Sequence, residues 1–394
     1  MRYFFTVVIT AGIEQKMENT IRKLYIEASS RCNMHCKMCF RHSWIGESFG
    51  DFNPQVFIQL LEDPAFVPVE TVFFGGMGEP LIHPGLAEMV GLAASCGKKV
   101  ELITNGTLLR KRLIQDLIAA GIDRIWISVD EIYDNYKNIQ IGSDFDLIRD
   151  NLAQFNLLRK GTKIKLGMTA VIMRDNIASL RKIKDFAMQN QADDLNLSHI
   201  IPNRPEDTAQ ALWHMCDVAA IRAANEKDEP LWRIESVDDG REIPMFRFSS
   251  HYKEELFPDE RSLQEAELFS WKGKTVTRRM NTCRFIEEGN CFIRWDGDVS
   301  PCMGLLHTSE TYLGDHRRTV WHQSFGNICN QSLADIWNCD SYRSFRERVH
   351  AFSFSPCLFC GGCDLLEENK ADCIGNEAPT CGACLWGQGF IVCP

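Results

Sequence analysis

Three cysteines fall within the eight residues of CNMHCKMC: Cys32, Cys36 and Cys39. A closed structural metal site takes four protein ligands. Three thiolates can instead hold three irons of a four-iron four-sulfur cubane and leave the fourth iron open to an outside ligand, which makes it a reaction site. Structural zinc with His35 or His42 as fourth ligand is the alternative, but zinc loops favour paired Cys-x2-Cys units. A second set of cysteines at metal-ligand spacings follows much later: Cys283, Cys291, Cys302, Cys357, Cys360, Cys363, Cys373, Cys381, Cys384 and Cys393. One or two zinc sites, with CLFC and CGAC as a pair, would compete with iron-sulfur clusters there.

These residues need a scaffold, and residues 23–200 supply an alternating one. Strand-like runs (LYIEAS, TVFFGG, VELITN, RIWISVD, KLGMTAVIMR, DLNLSHI) are separated by helical ones. In SDFDLIRDNLAQF, Phe145, Ile148, Leu152 and Phe155 recur at helical spacing, and Ser143 stands where a cap is expected. The strands are short and apolar, as buried parallel strands are. Six βα units in series predict a partial (β/α)6 parallel barrel with its helices outside. In such barrels chemistry sits on loops at the carboxyl ends of strands. CNMHCKMC follows the first strand, GGMGEP the second and TNG the third, while SVD closes the fourth, so four loops converge on one rim.

The expected division is an N-terminal extension over 1–22, the barrel over 23–201, a charged and aromatic bridging region over 202–280, and a cysteine-rich domain over 281–394. The last region is rich in Gly and Pro and shows little regular apolar pattern, so bound metal is expected to stabilise it. The strand expected to begin the fold starts only at Lys23, which makes Met17 an alternative start. Cys96, Cys216, Cys329 and Cys339 are isolated and read as buried, inert thiols.

At 394 residues, with 45% hydrophobic residues, the chain is long enough for one large domain and one or two small ones. A net charge of -10 argues against broad capture of nucleic acid or anionic membrane. Seventeen cysteines, thirteen of them at metal spacings, behind an N-terminal apolar run too short for a membrane span and poor as an export signal, point to a reducing, cytoplasmic setting.

Cys-x3-Cys-x2-Cys after the first strand of a βα barrel resembles the radical S-adenosylmethionine (SAM) enzymes. The resemblance implies that SAM chelates the open iron and is cleaved reductively to a 5'-deoxyadenosyl radical that abstracts a substrate hydrogen. Gly76, Met77, Gly78 and Glu79 match the family's second-strand motif, where backbone and acid meet the SAM ammonium. Thr104, Asn105, Ser128 and Asp130 stand where the ribose or carboxylate is contacted. Met38 occupies the position near adenine where the family usually has an aromatic; Phe40 follows it.

Cys283-x13-Gly297-x4-Cys302, with Cys357-x2-Cys360-x2-Cys363 after it, resembles the SPASM extension. This implies two auxiliary four-iron clusters, three clusters in all, with eight of the ten later cysteines as ligands. By resemblance Cys283, Cys291 and Cys302 open the first auxiliary cluster, completed by Cys363 or Cys373. The second draws on Cys357, Cys360 and a pair from Cys373, Cys381, Cys384 and Cys393. Met303 stands where sulfatase-maturing relatives carry a proton-accepting acid, so formylglycine formation is not expected and no general base is assigned. Asp296, Asp298 and His307 read as turn or surface residues, and His316, Arg317 and Arg318 as a solvated basic group.

MCFRHSW, SFGNI and DCIGNEAPTCGACLWGQGFIVCP are similar to a subgroup that matures tungsten-containing aldehyde ferredoxin oxidoreductases. The expected function is therefore maturation of a partner oxidoreductase or its cofactor, with a reduced ferredoxin or flavodoxin as electron donor and no nucleic-acid or membrane partner. A ribosomal peptide maturase with the same clusters and a nonenzymatic iron-sulfur carrier are the alternatives.

Overall fold

The computed structural model describes residues 19–212, 281–314, 316–355, 357–358, 363–391 and 393–394, with the backbone of four two-residue strands between 243 and 278. Cys216, Cys360, the alternative start at Met17 and most of the bridging region lie outside the described residues.

Six parallel strands run in sequence order across one sheet: β1 (Lys23–Ile26), β2 (Thr71–Phe74), β3 (Lys99–Thr104), β4 (Arg124–Ser128), β5 (Lys165–Ile172) and β6 (Asp194–His199). Five helical connections join consecutive strands: α1 (Pro54–Leu61), α2 (Leu86–Ser95), α3 (Lys111–Ala120), the short α4 (Tyr136–Ile139) with α5 (Phe145–Arg159), and α6 (Leu180–Gln189). This is the expected partial barrel, with parallel strands buried by their crossover helices.

Local chemistry sets the helix ends. Asn53 accepts a hydrogen bond from Gln55 N–H and Pro54 takes the first turn of α1. Helix α5 is capped by Asp144, whose carboxylate accepts from Leu147 N–H, and not by Ser143, whose hydroxyl turns to the Asp144 carbonyl. Its expected apolar stripe, Phe145, Ile148, Leu152 and Phe155, is buried.

The cysteine-rich region builds onto this sheet. Strand Asn290–Ile293 pairs in parallel with β1, in the register Leu24 to Cys291, and Val299–Ser300 adds antiparallel outside it, making eight strands. Helices Leu333–Asn338 and Asp340–His350 bury Leu333, Ile336, Trp337, Tyr342, Phe345 and Val349 in the same apolar core as the barrel. Hydrophobic burial thus supports more of this region than its composition led us to expect. Among the described residues no helix is long and apolar enough to cross a membrane.

Candidate active site and cysteine centres

One cavity of about 320 Å³ opens at the carboxyl ends of the strands, a size typical of small-molecule sites. Cys32, Cys36, Cys39, Met38, Gly76, Met77, Gly78, Glu79, Thr104, Asn105, Ser128 and Asp130 all line it. The cysteine loop is pinned from two sides. His35 and Lys37 donate their backbone N–H to the Ile141 and Ile139 carbonyls, while Asn203 and Arg204 donate to the Met38 and Lys37 carbonyls. Asn105 Nδ2 reaches Cys32 Sγ at 3.8 Å.

The loop after β2 is shaped by close contacts that only glycine tolerates. A Cβ on Gly78 would stand 2.1 Å from the Ser29 carbonyl oxygen, and one on Gly76 would stand 2.6 Å from Glu27 Cγ. Glu79 is buried, with Oε1 accepting from Leu81 N–H and Thr104 Oγ1 and Oε2 from Asn105 N–H. Burial pushes its pKa up to about 7 against the pull of those bonds. Burial likewise takes Asp130 to about 7, opposed by the Val171 N–H it accepts. Burial raises the Cys32 and Cys36 thiols, and neighbouring Asp130 adds to the effect at Cys36.

Three thiols line the cavity, the donor set that a cluster with one open iron takes. Tetrahedral zinc gathers its sulfurs to within about 3.8 Å of one another. Among the described residues no three His, Cys, Asp or Glu side chains gather closely enough to hold a single ion. His42, the candidate fourth zinc ligand, instead puts Nε2 3.0 Å from the Cys36 carbonyl, and His35 is exposed.

The far wall of the cavity comes from the barrel interior (Tyr25, Phe73, Asn196, Ser198, His199) and from the C-terminal segment (Met303, Trp386, Ile391, Cys393). Met38 packs with Ile391 and Phe390 in a second apolar cluster, so its thioether works as packing as well as lining.

The later cysteines fall into separate neighbourhoods. Cys283, Cys302, Cys381 and Cys384 lie near enough to influence one another's ionisation, and burial pushes Cys283 up to about 12. Cys357 N–H and Cys373 Sγ meet through Ser355, at 2.7 and 3.0 Å; Cys363 precedes the short turn of helix at Asp364–Glu367. Cys291, expected beside Cys283 and Cys302, is 0% exposed on its strand, against the Tyr342 hydroxyl and near Arg346. Pairing with β1 turns it into the core. Cys393 lines the cavity, where Trp386 Nε1 donates to its sulfur at 3.3 Å.

Other expectations are corrected by burial. Cys96 and Cys329 are exposed and Cys339 is half-buried. Arg318 is 5% exposed, donates to the Leu366 carbonyl, and lies electrostatically close to Cys384, Cys357 and Cys381. Arg317 pairs with Glu310. His307, read as a turn or surface residue, is 1% exposed between Glu27 and Glu47. A charged residue inside the apolar run LYIEAS was the one available signal for Glu27.

Comparison with known proteins agrees with this geometry. Residues 26–187 match the radical SAM superfamily and residues 283–364 match SPASM, an iron-sulfur cluster-binding domain. The chain is 28% identical to the tungsten-containing aldehyde ferredoxin oxidoreductase cofactor-modifying protein of Pyrococcus furiosus, covering 95% of this chain and 97% of that one. It is 25% identical to the AdoMet-dependent heme synthase of Methanosarcina barkeri, covering 92% and 93%. Streptococcus suis SuiB bound to S-adenosylmethionine shares the fold, with a TM-score of 0.55 at 17% identity over 90% of this chain and 73% of that one. Residues 26–187 thus form a radical SAM domain and residues 283–364 a SPASM iron-sulfur domain.

Proposed function

We propose that the protein cleaves SAM reductively and uses the resulting 5'-deoxyadenosyl radical to modify a partner protein or its cofactor, in the maturation of a tungsten-containing oxidoreductase. The observation that carries this reading is that every residue assigned to the rim cluster and to SAM lines one cavity. When bound on Cys32, Cys36 and Cys39, a four-iron cluster with an open iron supplies the electron that breaks the sulfonium bond.

The chain's own residues then bind and orient. Glu79 offers the carboxylate for the SAM ammonium, a charge that would draw its raised pKa back down. Glycines 76 and 78 let backbone approach SAM closely, and Thr104, Asn105, Ser128 and Asp130 supply polar contacts to ribose and carboxylate. Met38 and Phe40 give the adenine an apolar bed. The Trp386 and Ile391 side of the cavity excludes water from the radical.

We assign Cys283, Cys302, Cys381 and Cys384 to one auxiliary cluster and Cys357, Cys360, Cys363 and Cys373 to the other. Cys291 and Cys393 are then the two not used, which accounts for the excess of ten cysteines over eight ligands. Ferredoxin or flavodoxin in a reducing cytoplasm is the proposed electron source. The similarity to the Pyrococcus protein supports the tungsten partner.

Anaerobically reconstituted protein, reduced and given SAM, is expected to release 5'-deoxyadenosine, and more of it when the immature tungsten oxidoreductase is added. A precursor peptide that stimulates release where the oxidoreductase does not would transfer the reading to peptide maturation.

A further inference from the structure

Two carboxylates meet the two nitrogens of one buried imidazole. His307 Nε2 lies 2.9 and 3.0 Å from the Glu27 oxygens, and Nδ1 lies 2.9 Å from Glu47 Oε2. A neutral histidine has a single N–H, so only the imidazolium donates on both sides. Its surroundings favour that form. Burial pulls the His307 pKa down, but the hydrogen bonds to Glu27 and Glu47, reinforced by their charges, carry it above the ordinary value. Trp44 lies over the ring at 4.0 Å.

The clamp joins three parts of the molecule. Glu27 follows β1 and its Oε1 accepts Met77 N–H at 3.0 Å, holding the glycine loop that lines the SAM cavity. Glu47 continues from the cysteine loop and accepts Thr308 N–H at 2.8 Å. His307 belongs to the segment that follows Cys302. The remaining charged groups about the clamp are Arg294, paired with Glu47, Asp296 and Asp298, and His322, which lies 3.2 Å from Asp298.

We propose that His307 is a positioning residue: as an imidazolium between Glu27 and Glu47 it fixes the Glu27 carboxylate under Met77 and so sets the glycine loop for SAM. This rests on the SAM reading above. Loss of the proton removes one donor and leaves Glu27 with an unshielded buried charge, free to turn away from Met77 N–H. SAM binding therefore weakens as pH rises through the His307 pKa, above about 6.5.

Glu27→Gln separates the clamp from mere packing. The Gln carbonyl still accepts from Met77 while its amide donates to a neutral His307, so the loop stays held at every pH. The test titrates SAM into reduced, reconstituted full-length protein and follows the change in its cluster EPR spectrum from pH 6.5 to 9. The SAM amino group titrates in the same range, so the quantity read is the ratio of wild-type to E27Q dissociation constants. That ratio is expected to rise about tenfold or more, the size of one lost charge-assisted hydrogen bond, while His307→Gln binds weakly throughout. A ratio that stays constant with SAM bound overturns the positioning role alone. No SAM effect on the wild-type spectrum at any pH overturns the SAM reading and the positioning role with it.

Discussion

The cysteine loop at the barrel rim and the cysteines beyond residue 281 offer the same side-chain chemistry but are brought together in opposite ways. Cys32, Cys36 and Cys39 come from one connection after β1, so their relative placement follows from a local turn. The set Cys283, Cys302, Cys381 and Cys384 joins residues about a hundred positions apart, and its geometry depends on the shared core around Leu333, Trp337 and Tyr342. A local site can be read from spacing. A non-local one waits on which strand pairs with which.

Substitutions that break this contrast should differ sharply. Cys36→Ala is expected to abolish 5'-deoxyadenosine formation while reconstituted iron falls only from about twelve to about eight per chain. Cys384→Ala should lose a similar share of iron yet keep the SAM-dependent change in the rim cluster's EPR spectrum. Glu79→Gln comes next. It removes the charge and turns an amide against the Asn105 N–H, so SAM affinity should drop by about 10- to 100-fold, measured by equilibrium binding.

Cys291→Ser probes the non-local set. If the residue is core and not ligand, iron content stays unchanged, and the buried hydroxyl costs about 1 kcal/mol in denaturant unfolding. The smallest effect is on stability against pH. His307 has a raised folded pKa, so its contribution is complete below about pH 6.5 and is lost as pH rises through the folded value. The denaturant midpoint of the wild type should therefore fall toward pH 9 by more than that of E27Q.

Apolar alternation made the six strands, the five helical connections between them and the four rim loops legible, because each strand and helix declares its own period. Three features were hidden for one physical reason. Cys291, His307 and Arg318 each look polar or reactive in sequence, and each is buried by a partner far along the chain: β1, Glu27, and the Leu366 carbonyl. A histidine flanked by LL and TS carries no sign of the two carboxylates that enclose it. The exchange of Ser143 for Asp144 as helix cap is a smaller instance, since both residues can cap and only backbone geometry chooses.

The proposed reaction is cleavage of SAM at an open iron in the rim cavity. The direct measurement is 5'-deoxyadenosine released by strictly anaerobic, reconstituted and reduced protein given SAM, with the Cys36→Ala variant beside it. Release by the wild type and none by the variant is expected; intact clusters without any 5'-deoxyadenosine from the wild type would contradict SAM cleavage at the rim.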